Sequence, residues 1–282
     1  MSRVHVVTDS SADLTPETRN RYGIAMVPLY IIFGEESYRD QLEISTQGFY
    51  EKMATSGVLP RTSQPSPADF VETYKAISEP GDDIVSIHLS SKLSGTFQSA
   101  YLAKSMLEDR RVHVVDSLTV SQGLGLAVVA AAEAAQAGKT AAEVAEVAAK
   151  VAARVNHVFI VDSLDHLQRT GRIGRAAAWV GGLLSVKPLL TISDGLVHPL
   201  EKVRGKSKVL PRMIEILKER TTAGKPITLG IVQGGVPEEA AELEARVREA
   251  YPVTQYLQGW IGPVVGANAG PNILGLLWYE VD

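Results

Sequence analysis

Two runs of hydroxyl side chains stand out along the chain: Arg61-Thr62-Ser63-Gln64-Pro65-Ser66, and Ser90-Ser91-Lys92-Leu93-Ser94-Gly95-Thr96 directly after the apolar run Ile84 to Leu89. Small neutral donors gathered where strands end are what a buried site needs to hold an anionic head group without burying a counter-ion as well. The pattern points to a receptor for a small acid. Ser and Thr also cap helices and fill turns, and Ser66-Pro67-Ala68-Asp69 reads as a capping box with proline at the first helical position. Capping accounts for Ser66 and serves equally for Ser91 or Ser94 ahead of the helical pattern Phe97 to Leu107, but not for the whole second run. Helix N-termini beside these hydroxyls add free N–H groups that favour an anion.

Other chemistries have less support. A catalytic serine needs a base within reach and a third group to orient it. Of six histidines, His5, His88, His113 and His157 lie in β-runs, where a packed role is commoner, and no Gly-x-Ser-x-Gly elbow is present. A serine-dependent esterase or acyltransferase built on Ser94 is the enzyme alternative. No two histidines share ligand spacing and no acidic cluster repeats at loop intervals, so no metal site is expected. There is no Walker loop, and Gly262-Pro263-Val264-Val265-Gly266 follows the last long helical pattern instead of opening one. The absence of cysteine excludes disulfides and thiolate chemistry. A net charge of -4 gives no global attraction to nucleic acid or to anionic lipid.

The elements that must position these residues follow from the apolar periodicity. Val4 to Thr8, Ile84 to Leu89 and Val112 to Val115 read as buried strands, each followed by a polar turn and a helix, which implies a parallel α/β sheet flanked by helices. Ligands of such sheets sit beyond the carboxyl ends of the strands, so Asp9-Ser10-Ser11, Ser90-Ser91 and Asp116-Ser117 should share one edge. Leu29 to Phe33 and Ser37 to Arg39 form a hairpin pattern. The Ala-rich stretch Leu124 to Val155 reads as two helices broken at Gly138-Lys139-Thr140, acting as filler and hinge, with Thr140 and Glu143 in a second capping box. From His157 onward a second, α+β domain with a mixed or antiparallel sheet is expected, with helices at 163–168 and 173–179 and a hairpin at Asp194-Gly195. The expected division is 1–155 for the α/β domain carrying the hydroxyl loops and 156–282 for the α+β domain, with ligand buried between them. Lys202, Arg204, Lys206 and Lys208 would share one face if their strand continues. Met1-Ser2-Arg3 leads straight into Val4, with no room for a signal peptide and no apolar run long enough to span a bilayer, so a cytoplasmic location is expected.

Six short segments follow one another along the chain: Thr8-Asp9-Ser10-Ser11, Thr62-Ser63-Gln64-Pro65-Ser66, Ser90 to Thr96, Val115-Asp116-Ser117, Gly171-Arg172-Ile173 and Lys187-Pro188-Leu189. In these the chain resembles, over essentially its whole length, the DegV family of bacterial fatty-acid-binding proteins. The resemblance implies a carrier that buries one long acyl chain and needs no cofactor. Thr62 and Ser94 would bind the carboxyl group, with Ser63, Gly95 and Thr96 adjacent and Arg172 as charge partner. It further implies a non-catalytic subunit that presents its fatty acid to a separate ATP-dependent fatty acid kinase, making acyl phosphate for phospholipid synthesis. Arg204 would then belong to a docking patch for the kinase or for an anionic membrane surface. Where the family usually has Gly-x-His-x-Gly-Pro-Gly, this chain has Gly266-Ala267-Asn268-Ala269-Gly270-Pro271-Asn272. Asn268 can donate to a carboxylate but cannot become a cation or shuttle a proton.

Overall fold

β-Branched runs ending on small polar residues set the architecture of the first half. In the computed structural model, which describes residues 3–180 and 186–281, they become β1 (Val4–Asp9), α1 (Pro16–Tyr22), β2 (Ile24–Val27), β3 (Tyr30–Phe33), β4 (Glu36–Arg39), α2 (Thr46–Thr55), β5 (Arg61–Ser63), α3 (Pro67–Ile77), β6 (Asp83–His88), α4 (Thr96–Ser105) and β7 (Arg111–Asp116). Two long helices follow, α5 (Gln122–Gln136) and α6 (Ala141–Arg154). The second half holds β8 (Asn156–Ile160), α7 (Asp165–Arg169), β9 (Val186–Ser193), β10 (Leu196–Arg204), α8 (Val209–Glu219), β11 (Ile227–Gly234), α9 (Pro237–Ala250), β12 (Val253–Trp260), α10 (Pro263–Ala269) and β13 (Ile273–Glu280). Met1-Ser2, named above, lies outside the described residues.

A four-stranded parallel sheet runs in the order β2-β1-β6-β7. A six-stranded mixed sheet runs β10-β9-β8-β13-β11-β12, with only β11 and β12 parallel. The expected hairpin gains a third strand, giving β4-β3-β5. Thr62 therefore sits on a strand opposite Ile31, not in a loop. Both capping boxes form, Ser66 with Asp69 and Thr140 with Glu143.

Strand alternation sends neighbouring residues to opposite faces. In the first sheet Val7 and Ile84 pack with Phe70, Tyr74, Ala100 and Ala103 of α3 and α4. Val6 and Val85 turn the other way, into a cluster with α5 and α6 that also holds Leu190, Val232 and Leu277 of the second sheet. The outer face of that second sheet is covered by α8 and α9. The Ala-rich stretch is thus the wall between the two sheets, and the filler-and-hinge expectation is corrected: α5 touches β1 and β6 on one side and β11 and β13 on the other. Small side chains suit that place, because a helix buried on both faces needs close approach. A Cβ on Gly125 would lie 2.8 Å from the Ala12 carbonyl oxygen, and one on Gly123 would strike His157 and Thr119.

The helix expected at 173–179 is a 3-10 helix over Gly174–Trp179. One further expectation is corrected. The basic run does not continue along one strand, since β10 ends at Arg204, Gly205 adopts a positive φ of 92° and Lys206–Lys208 turn into a 3-10 helix. Lys202 lies over the Trp179 ring at 5.1 Å and Lys206 pairs with Glu239 at 2.6 Å.

Gly125→Ala should lower stability by about 1–3 kcal/mol, because the obstructing atom is backbone and cannot rotate away. Urea unfolding of the two proteins measures it, and an unchanged midpoint would contradict the close packing of α5.

Candidate functional site

The carboxyl ends of β1, β6 and β7 meet at one edge and are cross-linked there. Fully buried Asp9 accepts from Ser11 N–H (3.0 Å) and the Ser11 hydroxyl (2.5 Å), from Leu89 N–H (3.1 Å), and pairs with His88 Nδ1 (3.0 Å). The Ser117 hydroxyl donates to His88 O at 2.7 Å, and Asp116 accepts from Ser91 N–H at 3.1 Å. With Leu89 fixed, the chain turns at Ser90, whose carbonyl accepts from the N–H groups of Leu93 and Ser94, and delivers Ser94 to the start of α4. The Ser90 hydroxyl donates to Gly195 O (2.8 Å), so the tip of the Asp194-Gly195 hairpin is tied to the same turn.

Between this edge and the inner face of the six-stranded sheet lies a cavity of about 120 Å³, roughly ten times what one buried water needs. Its walls are mostly apolar, and include Leu29, Leu93, Phe159, Leu167, Val232 and Leu277. Thr62, Ser94, Asn268, Arg172 and Gln64 also line it, so hydroxyl, amide and guanidinium groups from both halves meet at one space. Asn268, on α10, donates through Nδ2 to Val264 O (2.8 Å) and to the Thr62 hydroxyl (3.4 Å). The Ser94 and Thr96 hydroxyls are 2.9 Å apart. Gly95 caps α4, and a Cβ there would come within 2.6 Å of the Gln64 side chain, so glycine lets the two hydroxyl runs close on each other. Arg172 Nε donates to Leu93 O (3.2 Å) and Nη1 to Thr170 O (2.5 Å); no carboxylate pairs with it among the described residues.

The sequence-predicted residues thus fall into two groups. Thr62, Ser94, Asn268 and Arg172 line the cavity. Buried Thr96 stands behind Ser94, Gly95 shapes the approach, and the Ser63 side chain is exposed with its hydroxyl toward Gln64 O. Arg204 is on the surface, at the end of β10. Gln64, Ser121 and His157 line the cavity without having been singled out as binding residues. Gln64 lies inside the first hydroxyl run, which was signal enough; His157 looks like any strand histidine.

The fold and this geometry can be set beside known proteins. The family model described as "Uncharacterised protein, DegV family" matches residues 3–281. The chain belongs to the DegV family. A DegV domain-containing protein of Streptomyces coelicolor is 41% identical over 280 residues, covering 98% of this chain and 99% of the relative. Among solved structures, a fatty-acid-binding DegV family protein from Thermus thermophilus superposes with a TM-score of 0.93 at 34% identity, covering 99% and 100% of the two chains. DegV of Bacillus subtilis, a fatty acid binding protein, gives 0.91 at 34% identity with both chains fully covered.

Within this DegV chain, hydrolytic machinery is missing around Ser94, whose hydroxyl meets Thr96 and no histidine among the described residues. A serine–histidine–aspartate sequence of contacts does occur elsewhere: Ser86 Oγ lies 2.6 Å from His88 Nε2, and His88 Nδ1 3.0 Å from Asp9. All three are fully buried, and the Tyr74 hydroxyl donates to Ser86 at 2.8 Å, so no substrate reaches that serine. Its work is to lock strand ends. No group of three or more metal-ligating side chains occurs among the described residues.

Two more buried acids brace the edge. Asp13 accepts from the Ser121 hydroxyl (2.5 Å) and from Gly262 N–H (3.0 Å), joining the start of α5 to the turn that launches α10 and Asn268. Burial pushes its carboxyl well above the usual range, against those two donors. Asp40, also buried, meets no donor in good hydrogen-bonding geometry; desolvation lifts it to about 7, with the Ser10 hydroxyl pulling the other way and the Asp9 charge adding to the rise. A raised carboxyl pKa favours the protonated folded state, so its stabilising contribution is complete below about pH 4 and lost as pH rises through about 7. Asp40→Asn cannot ionise, and its stability relative to wild type should climb by on the order of 4 kcal/mol between those limits and then level off. Urea midpoints of both proteins across that window test this; parallel curves would show that Asp40 stays ionised in the fold.

Proposed function

We propose that this protein is a cytoplasmic, non-catalytic carrier that binds one long-chain fatty acid in the cavity between its two sheets and needs no cofactor. The observation that carries the reading is a mostly apolar cavity with Thr62, Ser94 and Asn268 gathered on its wall. Burying about fifteen methylenes at roughly 0.8 kcal/mol each supplies on the order of 12 kcal/mol of gross driving force. Loss of rigid-body and chain freedom removes several kcal/mol of that, which leaves submicromolar affinity within reach. The tail then gives affinity, and the hydroxyls spare the head group the cost of burial without partners. Ser63, Gly95 and Thr96 support that head-group site, with Arg172 as its positive neighbour. The division into 1–155 and 156–282 assigns the hydroxyl loops to one lobe and most of the cavity floor to the other. The membership in a family with fatty-acid-binding relatives supports the same reading. No helix among the described residues is long and apolar enough to cross a membrane.

For the carrier's partner, we infer a separate ATP-dependent fatty acid kinase that converts the bound acid to acyl phosphate for phospholipid synthesis, with loading from an anionic membrane surface. Arg204, the docking residue that the resemblance implies, is exposed and has no ion-pair partner among the described residues; Lys208 shares both features, whereas Lys202 and Lys206 are engaged.

Thr62→Ala and Ser94→Ala should each weaken fatty-acid binding by about 1–3 kcal/mol, the cost of leaving a buried polar partner unsatisfied. Calorimetric titration of delipidated protein decides the matter, and wild-type affinity in both variants would remove these residues from the site. Arg204→Ala should slow acyl-phosphate formation by a cognate kinase at low salt while leaving fatty-acid affinity intact. Equal rates at saturating lipid would make Arg204 an ordinary solvated side chain.

A further inference from the structure

We propose that a second cleft, at the seam of the two lobes and apart from the acyl cavity, binds a neutral sugar ring between Trp260 and the Gln233 amide. The cleft measures about 570 Å³, within the roughly 300–1,000 Å³ usual for small-molecule sites. It shares no lining residue with the cavity that holds Thr62 and Ser94, so the proposal stands whatever that cavity binds.

Strand register builds the floor. β11 and β12 run parallel, and α9 joins them in a βαβ unit. Ligands of such units sit beyond the carboxyl ends of the strands. At those ends Ile231 lies opposite Gln258 and Gln233 opposite Trp260, so the four side chains share one face, and all four line the cleft. The first lobe supplies the rest of the wall through Gln41 and the helix-capping hydroxyls of Thr15 and Ser45.

Gln233 is 7% exposed and only half of its amide is used. Oε1 accepts from the N–H groups of Gly235 (2.7 Å) and Val236 (2.8 Å), which fixes the orientation of the amide. Nε2 has no acceptor among the described residues and is not sealed from solvent, so an oxygen bound in the cleft can pair with it. Gln41 presents the opposite chemistry, since its Nε2 donates to Ser10 O (3.0 Å) and its Oε1 meets no donor among the described residues. The Ser45 hydroxyl accepts from Gly48 N–H (3.1 Å) and keeps its own proton to donate. Donors and acceptors thus surround one space, which suits hydroxyl groups because each of them both donates and accepts. Trp260 completes the wall with an indole that is 48% exposed and steadied by the Tyr50 ring at 5.9 Å. A half-exposed indole is a flat apolar platform at a wet edge. It complements the C–H face of a sugar whose rim carries hydroxyls.

The charge of the wall narrows the ligand further. No Lys, Arg or His lines the cleft, so a phosphate or carboxylate would enter without a counter-ion. Glu238 and Glu239 in the first turn of α9 oppose an anion at that helix start. Asp13, the one carboxyl group on the wall, is already met by the Ser121 hydroxyl and Gly262 N–H. A nucleobase could share the stacking on Trp260, but it lacks the ring of hydroxyls that the amides and hydroxyls of the wall would pair.

The test titrates the full chain with the methyl glycosides of glucose, galactose and mannose and with N-acetylglucosamine, with adenosine as the contrast, followed by tryptophan fluorescence and saturation-transfer NMR. At least one sugar should bind saturably with a dissociation constant of roughly 1 mM, the scale for a ligand of about a dozen non-hydrogen atoms. Trp260→Ala should abolish binding. Gln233→Glu keeps an oxygen for Gly235 and Val236 but removes the donor, and should weaken binding about tenfold. If Gln233→Glu does not fold, Gln41→Ala takes its place with the same expected direction. Absence of saturable binding by every sugar up to about 50 mM, or binding that survives these substitutions, would overturn the site. Adenosine bound more tightly than every sugar would overturn the ligand class.

Discussion

The carboxylate of Asp9 is the constraint on which the binding edge depends. It is fully buried, yet it is met by two backbone N–H groups, a hydroxyl and an imidazole nitrogen. Those contacts fix the end of β1 against the end of β6, and each later element inherits its position from them. Ser11 O accepts from Ser121 N–H and so places the start of α5. Leu89, held by Asp9, leads into the Ser90 turn and thence to Ser94. Loss of this one side chain would leave several buried donors unpaired together, a cost of several kcal/mol by the usual reckoning for broken buried networks. A hydrophobic replacement would not restore the edge, because two of the donors are backbone N–H groups that cannot be removed.

The lobes are joined by a neutral hydroxyl and two cationic side chains that donate to backbone carbonyls across the gap. Ser90 donates to Gly195 O, Arg172 to Leu93 O, and Lys92 to Asp194 O. The cavity wall likewise sets hydroxyls and amides beside the Arg172 guanidinium. On the acyl reading this has a physical use. A rotating hydroxyl can donate to a carboxylate or accept from a carboxylic acid, so the head group need not be held in one charge state. Arg172, already bound to two carbonyls, adds a positive field at the rim without closing an ion pair. Asn268 extends the pattern: its amide is anchored on Val264 O and reaches Thr62, and it brings no titration of its own.

Most of the fold was legible in the sequence because its signals are local. The β-branched runs ending in Asp9-Ser10, Ser90-Ser91 and Asp116-Ser117 gave both the parallel sheet and its binding edge, and the capping residues Ser66 and Thr140 marked helix starts. What escaped depends on distant partners. The Ala-rich stretch carries no sign that a second sheet covers its other face, so α5 read as filler although it is the central wall. Thr62 read as part of a hydroxyl loop, because the pairing that makes β5 a strand comes from Ile31. The basic run read as one face of a strand because Gly205, which breaks it, has the same residue type in a turn as in a strand. His157 was set aside with the other strand histidines, since only the folded chain reveals that it lines the cavity.

The cavity occupies the place where a larger shared core would otherwise close. Residues of both sheets and of α5 form one continuous hydrophobic cluster, and the cavity walls belong to it: Leu89, Leu167, Val232 and Leu277 are members of both. An apolar void among such residues forfeits dispersion contacts on its open side. A ligand that fills it restores them, which makes binding and folding share the same interactions. Whatever occupies the cavity is bound to the folded state alone, so it stabilises the fold by mass action. The lobes do not need that help to meet, because the contacts from Ser90, Lys92 and Arg172 already bridge them. The division of labour is therefore physical: polar links to backbone set the shape of the cavity, and the apolar surface left inside it supplies the affinity.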